Sequence, residues 1–557
     1  MIFNSFLFIL IFLPVAVSGW YLLNRRSAVL AEWFLIGMGL WFYGSFSLWY
    51  LVVLGVSIVF NYGVGGVLQR AAGSAGNLRR NAKDPSENAG DLRKNAKDPS
   101  KNAGDLQKNT KAEENFRDGV RSDRFLLAAG IIVNLLFLGW FKYVTPELSA
   151  LINEGQISTA PAISGFIAIG LPVGFSFYTF SQISYLIDSR RGEIAADGFR
   201  RYVLYITYFP KIIEGPITCY EEVMGQLRDP GRRHFEGEGF TRGLCLFVFG
   251  LAKKLLIADV LSGPAAFGLQ SAYYLDTLSV LVTMSCYALQ LYMDFSGYCD
   301  MAMGISRMLN IELPLNFDAP FQAESFPEFW KRWHMTLTRF FTRYVYIPLG
   351  GSRKGQVRTC LNVMIIFLLS AFWHGLGGTY LVWGLLSGAF VVIGNLWKRF
   401  ARERAARMEN ENAIPAPRAS KSCHMLKRTG VYLLFLFTLI FFGAANLEYS
   451  GAILRRFLVP LYPGWLYRLA AKLDLPEFWL LNKLVAAVLP GASNPVMLAE
   501  LLLMLVIALV LVNARRTAVR LAETMELNTT NAVLVGILLV VCLCSVSGVS
   551  TYLYFQF

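Results

Sequence analysis

The chain contains four histidines, and His374 lies where an ionisable side chain is least expected. It ends the apolar run LNVMIIFLLSAFWH, which precedes a glycine-rich turn. Ionisable residues within a membrane span are costly and are by default candidates for function. The run from Leu361 to His374 gives about 21 Å of helix, less than the roughly 30 Å hydrocarbon core. The sequence therefore predicts His374 at the floor of a cavity inside the membrane, with a histidine bonded to a neighbouring helix as the alternative.

His334 lies in the segment PEFWKRWHMTLTRFFTRYVY, whose pattern predicts one amphipathic helix at the membrane interface. The apolar face of this helix comprises Trp330, His334, Leu337, Phe341 and Tyr344, and the charged face comprises Glu328, Arg332, Arg339 and Arg343. The pattern predicts that His334 is directed toward the apolar side, among aromatic residues. A packing histidine and a functional histidine are both open at this position.

Histidine suits acyl transfer because its pKa lies near neutrality, so it can take the proton of a hydroxyl that attacks an acyl donor. His234 and His424 lie in basic polar segments and are predicted to be solvated loop residues. The sequence has no GxSxG elbow, HExxH motif, Walker loop or Rossmann fingerprint. An acyl transfer that uses histidine without metal, bound cofactor or covalent intermediate is the chemistry that remains.

Composition places these histidines in a membrane protein. Charged residues make up 16% of the chain, against about 25% in soluble domains, and the mean hydropathy is +0.45. Apolar runs of about 17–22 residues match the length that spans a bilayer. The net charge of +14 lies in short segments between these runs, as the positive-inside rule requires, so nucleic-acid binding is not predicted. We expect an all-α polytopic membrane protein with about 11–12 transmembrane helices, besides re-entrant and interfacial amphipathic helices.

A polar insert with two 14-residue repeats, NAKDPSENAGDLRK and NAKDPSKNAGDLQK, interrupts the apolar pattern. The repeats lack an apolar face, so we expect them to be disordered. The predicted organisation is N-terminal spans in 1–69, the disordered cytoplasmic insert in 70–123, a catalytic core in 124–400, a basic cytoplasmic loop in 401–429 and C-terminal spans in 430–557.

The sequence resembles the membrane-bound O-acyltransferase (MBOAT) family over most of the chain outside the insert, and five segments carry the resemblance. They are LPVGFSFYTFSQISYLID (171–188), YFPKIIEGPI (208–217), LYMDFSGYCDMAMGISRMLNIELPLNFDAPF (291–321), FWKRWHMTLTRFFTRYVYIPLGGSRKG (329–355) and AFWHGLGGTYLVWGLLSG (371–388). Within the family, the sequence is most similar to the branch that contains the membrane subunit of bacterial alginate O-acetylation. The membrane protein of teichoic acid D-alanylation resembles it more distantly.

The resemblance implies an all-helical MBOAT fold, a ring with a thin centre where a tunnel links the two membrane faces. It implies that His374 is the family's essential histidine and that His334 is its second histidine. The expected activity is O-acetyl transfer from a cytoplasmic thioester, acetyl-CoA or another, across a bacterial inner membrane to an exported or cell-surface polysaccharide. A periplasmic acetyltransferase is the expected partner, besides membrane lipids.

Further polar or aromatic residues are candidates for the wall of the tunnel: Asp294, Ser296, Tyr298, Asn316 and Trp373. For the polar members, hydrogen bonding between helices is an equal alternative. Two other functions stay open. A D-alanyl or lipid acyltransferase would share the fold, and a transporter or channel could also use intramembrane histidines and broken helices.

Overall fold

The computed structural model describes residues 1–83, 122–157, 167, 170–410, 420–460, 463–473, 475, 479–514, 516–546 and 552. Regular structure in these ranges is helical, with no strand. Seven helices in them are long and apolar enough to cross a membrane: Leu48–Gly73, Ser122–Asn153, Thr277–Met308, Gln356–His374, Gly378–Arg407, Lys421–Gly443 and Ser493–Val512. Three shorter apolar helices are Phe8–Asn24, Ala28–Gly44 and Thr529–Cys544. The predicted all-α polytopic class is confirmed.

The first compact unit comprises Met1, Ser18–Ile213 and Ile217–His234. Its helices include Ala28–Gly44, Leu48–Lys83, Ser122–Asn153, Phe175–Arg191, Phe199–Thr207 and Tyr220–Arg228. Asn61 and Asn134 lie on two of the apolar helices and exchange amide hydrogen bonds of 3.0 and 2.8 Å. Since a buried amide must find a partner, this pair fixes how the two helices meet.

The second compact unit comprises Ile2–Val17, Glu214–Pro216 and Phe235–Phe557. Besides the spans named above, its helices are Gly237–Ala252, Asp259–Gln270, Phe326–Arg332, Met335–Phe341, Leu447–Arg456, Pro463–Ala470, Trp479–Val488 and Ala518–Thr524. Short π-helical turns occupy Phe8–Phe12, Lys253–Ala258 and Thr342–Tyr346. All residues of the candidate site lie in this second unit.

Two glycine pairs bring the Gly237–Ala252 helix against the Thr277–Met308 helix. A Cβ atom on Gly250 would lie 2.5 Å from the carbonyl oxygen of Gly297. One on Gly243 would lie 2.7 Å from the carbonyl oxygen of Gly304. Glycine is therefore required here by the close approach of two backbones. This contact anchors the long helix that carries one wall of the site.

Three local expectations differ from the structure. The helix that begins at Leu48 runs on to Lys83, past the predicted start of the insert, while 84–121 lie outside the described residues. The predicted basic loop 401–429 is largely taken up by the ends of the helices Gly378–Asn410 and Lys421–Gly443. His424 is therefore in a helix, where its Nδ1 atom lies 2.7 Å from a Glu324 carboxylate oxygen.

The predicted amphipathic helix around His334 is not continuous. One helix spans Phe326–Arg332 and the next spans Met335–Phe341. Between them, His334 has a left-handed backbone with φ of 45°. The chain breaks here because the N–H groups of Met335 and Thr336 bond to Asn316 instead of to the preceding turn.

Candidate active site

His374 is the last residue of the Gln356–His374 helix. This helix has 19 residues because it begins in the polar stretch before Leu361, so it is longer than the predicted apolar run. The N–H of Gly375 closes the last turn with a 3.0 Å bond to the Ala371 carbonyl. His374 is only 6% exposed. This segment thus places a buried imidazole at the end of a spanning helix.

Aromatic rings surround the His374 imidazole. Phe442 lies edge-on at 4.9 Å between ring centroids, and Trp383 lies edge-on at 5.4 Å. Trp373 is 4.5 Å away and Tyr380 is 6.3 Å away, the latter nearly parallel to the imidazole. Edge-to-face contacts of this kind prefer a defined ring geometry. The rings therefore fix the plane of His374 and exclude bulk water from it.

His334 reaches the same region from the helix break. Its left-handed backbone is unfavourable for a residue with a Cβ atom, and Asn316 offsets this cost. The Asn316 main-chain oxygen accepts a 2.8 Å bond from the N–H of Met335. The Asn316 side-chain oxygen accepts bonds from the N–H and hydroxyl of Thr336, at 3.2 and 2.9 Å. The same oxygen lies 3.0 Å from Nδ1 of His334.

The His334 ring is 4% exposed and packs among aromatic side chains, as the sequence predicts. Phe295 lies edge-on at 4.8 Å, Phe317 lies nearly parallel at 6.4 Å, and Trp373 is 6.4 Å away. Burial lowers the pKa of His334 to about 3, because the surroundings disfavour the imidazolium charge. His334 is therefore neutral throughout the physiological range of pH.

Both imidazoles line one cavity of about 230 Å³. Most of its wall is apolar or aromatic and includes the predicted apolar face of the His334 segment through Trp330, Leu337 and Phe341. Its polar lining comprises Lys331, Thr338, Thr342, Tyr346, Ser370 and Asn395 besides the two histidines. A reactive group in this cavity would therefore meet two imidazoles, besides the ammonium of Lys331 and the phenol of Tyr346.

The other predicted residues have different surroundings. Trp373 contacts both histidine rings. Asp294 pairs with Nζ of Lys254 at 2.7 Å, and Ser296 lies 3.4 Å from Nζ of Lys253. Tyr298 stacks on Phe3 with centroids 4.7 Å apart. In the part of the chain that the structure describes, none of these side chains, nor Asn316, belongs to the lining of the cavity.

Sequence reasoning missed Trp383 and Phe442, which flank His374 from two other helices. Trp383 falls within one of the segments that carry the family resemblance, so the sequence could have marked it as a site residue. Phe442 lies outside those segments, and the spacing of residues along one helix does not reveal which ring a neighbouring helix supplies.

Two buried imidazoles in one largely apolar cavity are groups that general acid–base catalysis of acyl transfer can use. The sequence profile of MBOAT, the membrane-bound O-acyltransferase family, matches residues 133–437. The chain belongs to this family, and it is an acyltransferase. The expectation drawn from the sequence motifs is thereby confirmed.

Named relatives differ in the group and the acceptor that their names specify. The peptidoglycan O-acetyltransferase of Helicobacter pylori is 32% identical over 432 residues, which cover 72% of each chain. The probable alginate O-acetylase AlgI of Pseudomonas aeruginosa is 30% identical over 453 residues, covering 80% of this chain and 73% of that one. The teichoic acid D-alanyltransferase of Bacillus subtilis is 25% identical over 239 residues, covering 42% of this chain and 60% of its own.

Proposed function

We propose that this protein is an O-acetyltransferase that modifies an exported or cell-surface glycan. The observation that carries the proposal is the cavity that His334 and His374 line together. The names of the relatives from Helicobacter and Pseudomonas, which specify acetyl groups and glycan acceptors, support it. The donor is a cytoplasmic acyl thioester such as acetyl-CoA, and the protein resides in a bacterial inner membrane.

In the proposed reaction, His374 acts as general base or aligns the acceptor, and His334 orients the donor or the acceptor. The hydroxyl oxygen forms a bond to the thioester carbonyl carbon as its proton passes to an imidazole. The C–S bond then breaks, and the imidazole returns the proton to the leaving thiolate. The products are an O-acetyl ester and a free thiol, and the histidine ends in its starting state.

The size of the cavity favours a short acyl group. Pockets that enclose drug-sized ligands measure about 300–1,000 Å³, and this cavity measures about 230 Å³. An acetyl group and its thioester fit within that space, whereas a long lipid chain would have to extend beyond it. The cavity therefore accommodates the short acyl group of the proposed reaction.

The route on either side of the histidines is a further part of the proposal. Asp294, Ser296, Tyr298, Asn316 and Trp373 are candidates for positions along or beside the route. The acetyl group passes either to an extracytoplasmic acetyltransferase partner or directly to a glycan hydroxyl. The second candidate function is D-alanyl transfer, which the name of the Bacillus relative supports and for which a small cavity is also adequate.

An analysis of cell-surface esters separates the two candidates. Exported glycans are isolated from cells that lack the gene and from cells complemented with the wild-type chain. Mild alkali releases their esters for identification as acetate or D-alanine. We expect acetate to depend on the wild-type chain and to be absent with His374→Gln. D-alanine in place of acetate would select the second candidate, and unchanged esters in the deletion would contradict both.

A further inference from the structure

Asn316 is fully buried and binds three donors through one atom. Its side-chain oxygen lies 3.2 Å from the main-chain nitrogen of Thr336 and 2.9 Å from the Thr336 hydroxyl. It also lies 3.0 Å from Nδ1 of His334. A buried amide with so many hydrogen-bond partners has little freedom to rotate. The atom that it presents to the imidazole of His334 is therefore fixed.

The orientation of the Asn316 amide follows from its partners. The main-chain N–H of Thr336 can only donate, so the atom that faces it must be the amide oxygen. The amide nitrogen, at the other end, donates to Sγ of Cys299 at 3.2 Å. That thiol can donate onward to the Glu214 carbonyl, 3.8 Å away. Reversing the amide would set two donors against each other at Thr336, so only one orientation is consistent.

We infer that Asn316 is a positioning residue that locks His334 in the Nδ1–H tautomer and leaves the lone pair on Nε2. The amide oxygen has no hydrogen to give, so the ring nitrogen that faces it must carry one. A neutral imidazole carries only one N–H. Since the two nitrogens point to different sides of the ring, the proton-accepting side of His334 is the one turned away from Asn316.

The catalytic consequence rests on the proposed function, whereas the tautomer itself does not. An imidazole that accepts the hydrogen bond of the attacking hydroxyl must present a lone pair to it, and the opposite tautomer would present an N–H instead. Outer-shell partners that fix the tautomer of metal-bound histidines are typically worth about 10-fold to 100-fold in activity. We expect a similar loss of kcat when the Asn316 oxygen is removed.

Nitrogen-15 solid-state NMR tests the inference directly, because a chain with four histidines gives few imidazole signals. The full-length protein is labelled on histidine and reconstituted in lipid, and His334→Gln identifies the signals of His334. We expect a protonated Nδ1 and an unprotonated Nε2 at neutral pH. A protonated Nε2 with an unprotonated Nδ1, or an imidazolium, overturns the inference whether or not the protein transfers acetyl groups.

Variants of Asn316 test the catalytic consequence. Asn316→Leu removes the accepting oxygen at similar size, and Asn316→Asp keeps an accepting oxygen in place. We expect kcat to fall by about 10-fold to 100-fold in the first, and His334 to retain a protonated Nδ1 in the second. In a His334→Gln background, Asn316→Leu should cause no further fall in kcat. An equal fall in both backgrounds would show that Asn316 acts independently of His334 and would overturn the positioning role.

Discussion

The imidazole of His334 meets the ring of Phe295 edge-on, with centroids 4.8 Å apart and planes at 86°. Phe295 belongs to the Thr277–Met308 helix, so one wall of the candidate site is anchored on that helix. Such aromatic pairs contribute about 0.5–1.5 kcal/mol beyond area burial. The contact with Phe295 restrains the orientation of the His334 ring plane, and the contact of the Asn316 side-chain oxygen with Nδ1 restrains rotation within that plane.

Replacing Phe295 by Leu is expected to reduce kcat by about 2-fold to 10-fold, the equivalent of one lost aromatic contact. The KM for the donor should change less, because the side chain lies outside the lining of the cavity in the described residues. Steady-state kinetics of the purified variant measure both. A rise in KM with unchanged kcat would show that Phe295 shapes the donor site instead.

Filling the cavity should abolish transfer without unfolding the protein. Ser370 lines the cavity, and a phenyl ring in its place would occupy much of the space of about 230 Å³. We expect Ser370→Phe to lose donor-dependent activity. The matched control is Leu369→Phe on the same helix, at a side chain that is 40% exposed. Equal activity in the two variants would show that this cavity is not the reaction site.

The glycine contact between helices predicts a large difference between two similar substitutions. Gly250→Val places a side chain against the Gly297 carbonyl, where even a Cβ would lie at 2.5 Å. Overpacking of this kind costs about 1–3 kcal/mol or more, so the melting temperature in detergent should fall clearly. Gly536→Val is the control, since no atom lies within 4 Å of its added Cβ. Similar melting temperatures for both variants would contradict the close backbone approach.

The low pKa of His334 predicts its behaviour on acidification. Because burial holds that pKa at about 3, its NMR signals should stay those of a neutral ring between about pH 5 and 8, where an ordinary histidine titrates. A midpoint near the ordinary value of 6.5 would contradict this.

The same shift has a consequence for stability. The unfolded state binds the proton from pH 6.5 downward, whereas the folded state binds it only near pH 3. Stability should therefore fall as pH decreases through this window. We expect the melting temperature of the wild type to fall more steeply between pH 6.5 and 4.5 than that of His334→Gln. Parallel curves would argue against a buried neutral imidazole.

Much of the fold follows from the sequence, because a span must be apolar over a fixed length. The position of His374 at the end of a span, and the aromatic surroundings of His334, follow from patterns within single segments. Hydropathy is less informative where a span is covered by protein. The Thr277–Met308 helix is 78% buried in its most apolar window, and its second half continues to Met308 through polar and small residues.

The break at His334 could not be predicted from its own segment. The periodicity of that segment is helical, and the break depends on Asn316, which lies outside it. The rings of Trp383 and Phe442 beside His374 likewise come from other helices. Such features depend on contacts between distant parts of the chain, which the helical periodicity of a single segment does not encode.

The central claim is that the imidazole of His374, in the cavity it shares with His334, carries out acyl transfer. It is tested most directly by the release of free thiol from acetyl-CoA by the purified protein in lipid nanodiscs, with and without a glycan acceptor. Removing a positioned base typically lowers the rate about 10²-fold to 10⁴-fold, and we predict such a loss for His374→Gln. His234→Gln, at an exposed histidine, should keep the wild-type rate. An undiminished rate in His374→Gln would contradict the account.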